Sequence, residues 1–156
     1  MTVLVTGASG HIGGVLVRAL LQRGRPVRAL VHQGRTALED LEGPLELIDG
    51  DVLDRASIDR ACEGVTTVFH LAAIISIVGD PTGSVRAVNV EGPRNVAEAA
   101  LAAGVRRMVH VSSVHAFDIN SGADRIDEES PRAGSSAPAY DRSKAAGEEA
   151  VREVIA

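Results

Sequence analysis

The sequence predicts an α/β fold, a doubly wound parallel sheet with helices on both faces. Two observations carry that prediction. Short runs rich in Val, Leu and Ile recur along the 156 residues, and segments of helical period separate them. Parallel neighbours need a long return connection, so this alternation implies right-handed strand-helix-strand crossovers. With 45% hydrophobic residues the chain supports one domain, residues 1–156, and is too short for a second of ordinary size.

The strands are expected at "TVLV" (Thr2 to Val5), "PVRALV" (Pro26 to Val31), "LELI" (Leu45 to Ile48), "TTVFHL" (Thr66 to Leu71) and "RMVHVS" (Arg107 to Ser112). Between them, Val15, Leu16, Ala19 and Leu20 mark a first helix that stops before Gly24. A short helical turn covers Ala56 to Cys62, and a long helix covers Val85 to Ala103, ended by Gly104. Asp118 to Ala139 breaks the pattern with Gly, Ser, Pro and charge, so a long surface loop is expected there. Helical period resumes from about Ala139 and runs to the last residue.

Composition excludes several classes of function. Sixteen basic against 21 acidic residues give a net charge of -5, which does not steer the chain toward nucleic acid or anionic membranes. Aromatics are 2% and tryptophan is absent, so base-stacking platforms lack their material. The longest apolar stretch, Val65 to Val78, is too short for a bilayer and contains His70, so no membrane span is expected. The single cysteine, Cys62, has no internal disulfide partner, and no metal site is expected. The N-terminus lacks a basic region before its apolar run, so it is taken as a strand and the protein as cytoplasmic.

The stretch "VTGASGHIGG" sets Gly7, Gly10 and Gly13 between a strand and an amphipathic helix. Gly7 permits the tight turn, Gly10 lets backbone approach a pyrophosphate, and Gly13 lets the helix pack on the sheet. With Ser9, His11 and Ile12 they make a candidate cofactor loop of a Rossmann-like fold. Three glycines alone also describe an ordinary strand-helix turn; the flanking strand and helix favour the dinucleotide. The second strand ends in His32 and Gln33 with no acid for a ribose hydroxyl, and Arg35 follows. This favours NADP, with NAD possible, although Arg35 also suits a solvated loop. "GDVLD" ends the third strand, where Asp51 can accept from an adenine amino group while Val52 packs on the ring. Asp51 suits a helix cap as well, a task for which Asp54 is better placed.

"AYDRSKAAGEEA" holds the only tyrosine, Tyr140, and the only lysine, Lys144. On a helix they share one face at i and i+4. A phenol is a poor base near neutrality, but a neighbouring ammonium favours its ionised form and lets it exchange a proton with a hydroxyl or carbonyl. Lysine, a compact charge on a flexible stem, suits this and can reach ribose hydroxyls. Ser112 and Ser113 follow the fifth strand, where ligands of doubly wound sheets sit. A hydroxyl there can orient a substrate oxygen, or merely satisfy backbone at the strand end. No G-x-S-x-G elbow is present, which disfavours a serine hydrolase. His110 and His115 are expected to be structural or exposed.

Together these residues resemble the extended short-chain dehydrogenase/reductase family, the NAD(P)-dependent epimerase/dehydratase group with its dihydroflavonol-reductase-like and hydroxysteroid-dehydrogenase-like members. The resemblance spans the chain: the three glycines, Asp51 and Val52, "HLAA" (His70 to Ala73), "NVEGP" (Asn89 to Pro93), Ser113, "DEESP" (Asp127 to Pro131) and the Tyr140-Lys144 pair. It implies catalysis by Ser113, Tyr140 and Lys144 on a small carbonyl or alcohol substrate. It also implies cofactor contacts at Leu71, Ala72, Ala73 and Asn89, and by Tyr140 and Lys144 themselves. Pro93 stands where the family has threonine, which removes a backbone donor and marks a kink or a first helical turn. Family members continue beyond this point with a C-terminal substrate lobe, so the expectation is a cofactor-binding part that ends within the Tyr-Lys helix and lacks that lobe. A homo-oligomer paired through the Val85 to Ala103 and tyrosine helices is possible on this reading. A non-catalytic dinucleotide-binding or sensing module is the alternative function.

Overall fold

The five expected strands form a single parallel sheet in the order β3-β2-β1-β4-β5. They are β1 (Thr2–Thr6), β2 (Val27–Val31), β3 (Leu45–Asp49), β4 (Val65–His70) and β5 (Arg107–His110). The structure is a computed structural model and describes residues 1–119, 122 and 124–156. Helices α1 (His11–Gln22), α2 (Thr36–Glu39), α3 (Arg55–Cys62), α4 (Ser84–Arg86), α5 (Gly92–Ala102) and α6 (Ala139–Ile155) complete it, with a π turn at Ala87–Glu91 and a 3-10 turn at Val114–Ala116.

Strand order reverses between β1 and β4, which places the carboxyl ends of both strands at the crevice of a doubly wound sheet. Val5 pairs with Ala29 on one side and Phe69 on the other, and the β1–β4 register shifts once, between Thr2 and Val3. The apolar runs are unbroken because both faces are covered. Leu4, Leu30 and Val68 pack with Ile58 of α3 and Val96 of α5, while Val3, Val5 and Ala29 pack with Val17 of α1 and Leu38 of α2. Cys62 lies within the first of these clusters, and burial pushes its thiol up to about 11. No helix among the described residues is long and apolar enough to cross a membrane.

Two elements differ from the sequence expectation. The fifth strand stops at His110, two residues short of Ser112, so both serines stand beyond the sheet. The long helix from Val85 is not continuous: α4 passes into the π turn at Ala87–Glu91 before α5 begins. Pro93 is the cause. An unbroken α-helix would aim the N–H of residue 93 at the carbonyl of Asn89, and proline has none, so the backbone widens there. α2, with four residues and one buried side chain, Leu38, is too short to leave a periodic signal.

The expected loop 118–139 includes Asn120, Ser121 and Ala123, which lie outside the described residues. Its second half folds back on the strand end. Phe117 bridges Arg132, Asp118 N–H donates to the Pro131 carbonyl at 2.7 Å, and Ala133 N–H donates to Ala116. α6 docks on α5 and the π turn with Asp141, Ser143, Lys144, Gly147 and Ala150 buried, and Arg94 pairs with Glu153 along the seam.

A side chain at position 147 would put its Cβ 2.2 Å from the Asn89 carbonyl oxygen, whereas one at Gly134 would meet nothing within 4 Å. Gly147→Ala is therefore expected to lose about 2 kcal/mol or more in urea unfolding, and Gly134→Ala to stay within about 0.5 kcal/mol. Equal stability of the two variants would contradict this docking.

Candidate functional site

A cleft of about 330 Å³ opens at the carboxyl ends of β1, β2, β3 and β4. Gly7, Ser9, Gly10, His32, Asp51, Val52, Leu71, Ala72 and Ala73 of the sequence expectation all line it. Gly7 has φ +66°, and a Cβ there would lie 2.6 Å from Ala72 N; a Cβ at Gly13 would lie 2.0 Å from the Gly7 carbonyl oxygen. Only glycine permits either approach. Gly10 begins α1, and no side chain caps that helix. His11 and Ile12 form its first turn without an acidic residue, so the helix presents uncapped amides and its positive end to the cleft. These features fit a pyrophosphate, since the backbone can come close and no side-chain carboxylate repels it.

At the far end, His32 Nε2 lies 3.4 Å from Asp51 Oδ2. Asp51 Oδ1 accepts from Leu53 N–H at 2.9 Å, and its backbone is tied to the Ser57 hydroxyl. Asp54 takes the cap of α3, its Oδ1 accepting from Ala56 N–H at 3.1 Å, so Asp51 is left facing the cleft. Arg35 stands outside the lining, and its guanidinium is paired with Asp49. Leu30, Gly50, Ile74 and Val88 also line the cleft. None of them was singled out from the sequence, because a buried strand or helix residue beside a ligand carries the same pattern as one beside a core.

Ser113, Tyr140 and Lys144 lie beyond β5. Ser113 Oγ accepts from His115 N–H at 3.2 Å, which leaves its own proton free to donate. Tyr140 stands half-buried in the first turn of α6. One turn on, Lys144 is 3% exposed, and its Nζ donates to the Val111 carbonyl at 3.0 Å. Burial lowers the Lys144 pKa and Glu148, a further turn along, raises it. Ser112 has another partner. Its hydroxyl donates to Glu148 Oε1 at 2.5 Å, and Glu148 Oε2 lies 2.8 Å from Arg132 Nη1. Arg132 in turn stacks over Phe117 at 4.2 Å. Glu148 thus holds the strand end, the returning loop and α6 together; its spacing from Lys144 was the available signal.

Asn89 is buried beneath the site with its amide fully engaged. Oδ1 accepts from Ile74 N–H, and Nδ2 donates to the Ile74 carbonyl and to Ser143 Oγ, each at 2.8 or 2.9 Å. Ser143 passes the connection on, donating to the Tyr140 carbonyl at 2.6 Å. Asn89 therefore couples the cleft wall to α6 through protein contacts. His115, expected to be structural or exposed, sits edge-on to the Tyr140 ring at 6.0 Å, with Nδ1 3.2 Å from the buried Asp141 carboxylate.

Near Lys144, His70 and His110 stack with centroids 5.3 Å apart. His70 Nδ1 meets Thr6 Oγ1 at 2.6 Å, while His70 Nε2 and both His110 nitrogens are buried without a hydrogen-bond partner. Burial, with His110 and Lys144 adding to it, holds His70 well below the ordinary imidazole range. Burial and Lys144 likewise lower His110 to about 4.

Residues 4–154 match the family model of the 3-beta hydroxysteroid dehydrogenase/isomerase family. The chain is 47% identical over 121 residues to sterol demethylase protein B of Methylococcus capsulatus, covering 77% of this chain and 37% of that protein. It is 40% identical over 117 residues to a 3 beta-hydroxysteroid dehydrogenase/Delta 5-->4-isomerase of Mycobacterium tuberculosis, covering 71% and 31%. The crystal structure of the Bordetella bronchiseptica enzyme WbmG in complex with NAD and UDP superposes with a TM-score of 0.84 at 30% identity, over 96% of this chain and 48% of that one. The chain thus spans about a third of the length of these sequence relatives.

The histidine pair sets an acid limit on stability. A native imidazole held near 4 and an unfolded one near 6.5 mean that the unfolded state binds protons first as pH falls. Stability should be full above about pH 6.5 and decline toward pH 4, by up to about 1.4 kcal/mol per pH unit for each such histidine. His110→Phe, which keeps a stacked ring, is expected to flatten that decline in urea titrations between pH 6.5 and 4.5. An unaltered slope would contradict the assignment.

Proposed function

Because this chain belongs to the 3-beta hydroxysteroid dehydrogenase/isomerase family, we propose that it is the cofactor-binding and proton-transferring part of an NAD(P)-dependent oxidoreductase. Its substrate is a secondary alcohol or the corresponding carbonyl compound. Epimerase or dehydratase chemistry would use the same residues with a transient oxidation. The observation that supports this reading is that Ser113, Tyr140 and Lys144 lie beyond β5, with α6 joined to the cleft wall through Ile74, Asn89 and Ser143.

The nicotinamide, when bound, accepts or supplies the hydride. Gly7, Gly10, Gly13 and the first-turn amides of α1 hold the pyrophosphate, with Asp51 and Val52 at the adenine. Tyr140 takes the proton of the substrate hydroxyl in oxidation and returns one in reduction. Lys144 stabilises charge on the Tyr140 oxygen; with one N–H committed to Val111, its others are free for the ribose hydroxyls. The Ser113 hydroxyl donates to the substrate oxygen and fixes it beside Tyr140. Low exposure around Lys144 strengthens each of these interactions.

NADP is the preferred cofactor in this proposal. β2 brings no carboxylate to the ribose, and Arg35 is the first arginine after its tip. NAD, the dinucleotide in the WbmG structure, fits the same cleft.

Two measurements test the proposal. Calorimetry should show NADPH binding that survives Tyr140→Phe and weakens in Arg35→Ala. Consumption of NADPH over a panel of keto-steroids, flavanone-type ketones and aryl ketones should fall about 10²- to 10⁴-fold in Tyr140→Phe and on the order of 10²-fold in Ser113→Ala. Full turnover in Tyr140→Phe would overturn the assigned roles. Cofactor binding with no turnover in any case would favour the binding or sensing module.

A further inference from the structure

The β2 tip lacks the acid that would accept from a ribose hydroxyl, yet an acid stands one strand away. Asp49 closes β3 in direct register with Val31, the last residue of β2. Its carboxylate engages the guanidinium of Arg35, four residues after Val31. The cation that could receive a 2'-phosphate is therefore already held by an internal anion. Both groups reach solvent, Asp49 with 75% of its side chain exposed and Arg35 with 44%. Asp49 is followed by Gly50 and Asp51, both in the cleft lining, and Arg35 closely follows His32 and Gln33, which line it too.

We propose that Asp49 is a specificity-determining residue of the dinucleotide site, an internal competitor for Arg35 that narrows the preference for the 2'-phosphate of NADP over the 2'-hydroxyl of NAD. The inference rests on the reading of the cleft as a dinucleotide site. A 2'-phosphate is a dianion with three acceptor oxygens, and it gains a charge-assisted pair only when Arg35 leaves Asp49. Once there, it stands near the carboxylate it has displaced and is repelled. A 2'-hydroxyl faces neither cost and can donate to Asp49. An exposed ion pair is weak enough for a ligand to exchange, so the competition sets the cofactor ratio without closing the site. The second couple, His32 with Asp51 at 3.4 Å, lies beside the same end of the cleft and adds a further carboxylate there.

The test is a double-mutant cycle read by calorimetry with NADP⁺ and NAD⁺ on the intact chain, using Asp49→Asn, Arg35→Ala and the double variant. Asp49→Asn should tighten NADP⁺ about fivefold without tightening NAD⁺. In the Arg35→Ala background the same substitution should change NADP⁺ affinity by less than about twofold. An equal gain in both backgrounds would mean a general charge effect and overturn the proposal, as would no gain at all. Binding of both cofactors with an unshifted ratio overturns this inference alone. Binding of neither overturns the dinucleotide reading and this inference with it.

Discussion

The contact between the Asn89 carbonyl and Gly147 is the constraint on which the site depends. Tyr140 and Lys144 ride on α6, which follows β5 only after a long loop. Their place is set where α6 presses its glycine onto the π turn before α5. Pro93 makes that turn by removing the N–H that Asn89 would otherwise receive. The Asn89 side chain then uses its donors and its acceptor to bind the loop after β4 and the Ser143 hydroxyl of α6, which in turn donates to the Tyr140 carbonyl. One residue therefore joins the cleft wall to the helix that carries Tyr140 and Lys144.

The two halves of the site use different physics. The glycine cleft works by absence: no Cβ at Gly7 or Gly13 and no side-chain cap on α1, so bare amides face the space where an anion fits. The catalytic end works by burial. Lys144 is almost without solvent, Glu148 offsets part of the cost of its charge, and two neutral imidazoles stack nearby. In such surroundings a single charge acts strongly on its neighbours, as the proton transfer proposed for Tyr140 would require.

Much of this was legible in the sequence because it is local. Five apolar runs, the strand-glycine-helix stretch and a tyrosine four residues before a lysine are patterns within short windows, and the five strands formed within two residues of their expected bounds. Asp54 as the cap of α3 was legible for the same reason. What the sequence did not disclose depends on partners far along the chain. Ser112 meets Glu148 36 residues later, Arg35 meets Asp49 on the neighbouring strand, and Asn89 meets Ser143 across 54 residues. The break in the long helix was half legible: Pro93 announced a disturbance, but its form required knowing that α6 would lie against the freed carbonyl. His115 looked like an ordinary residue after a strand until Asp141 and Tyr140 were folded beside it.

With one tyrosine and no tryptophan in the chain, the emission of Tyr140 reports on the candidate active site alone. A dihydronicotinamide bound as the account requires lies close enough to quench it by energy transfer. The measurement is a titration of that emission with NADPH and NADH, corrected against free N-acetyltyrosinamide and paired with calorimetry on the same samples. The account predicts saturable quenching whose midpoint matches the calorimetric one. Saturable binding with Tyr140 emission unaltered would place the nicotinamide away from the Tyr140-Lys144 pair and contradict it.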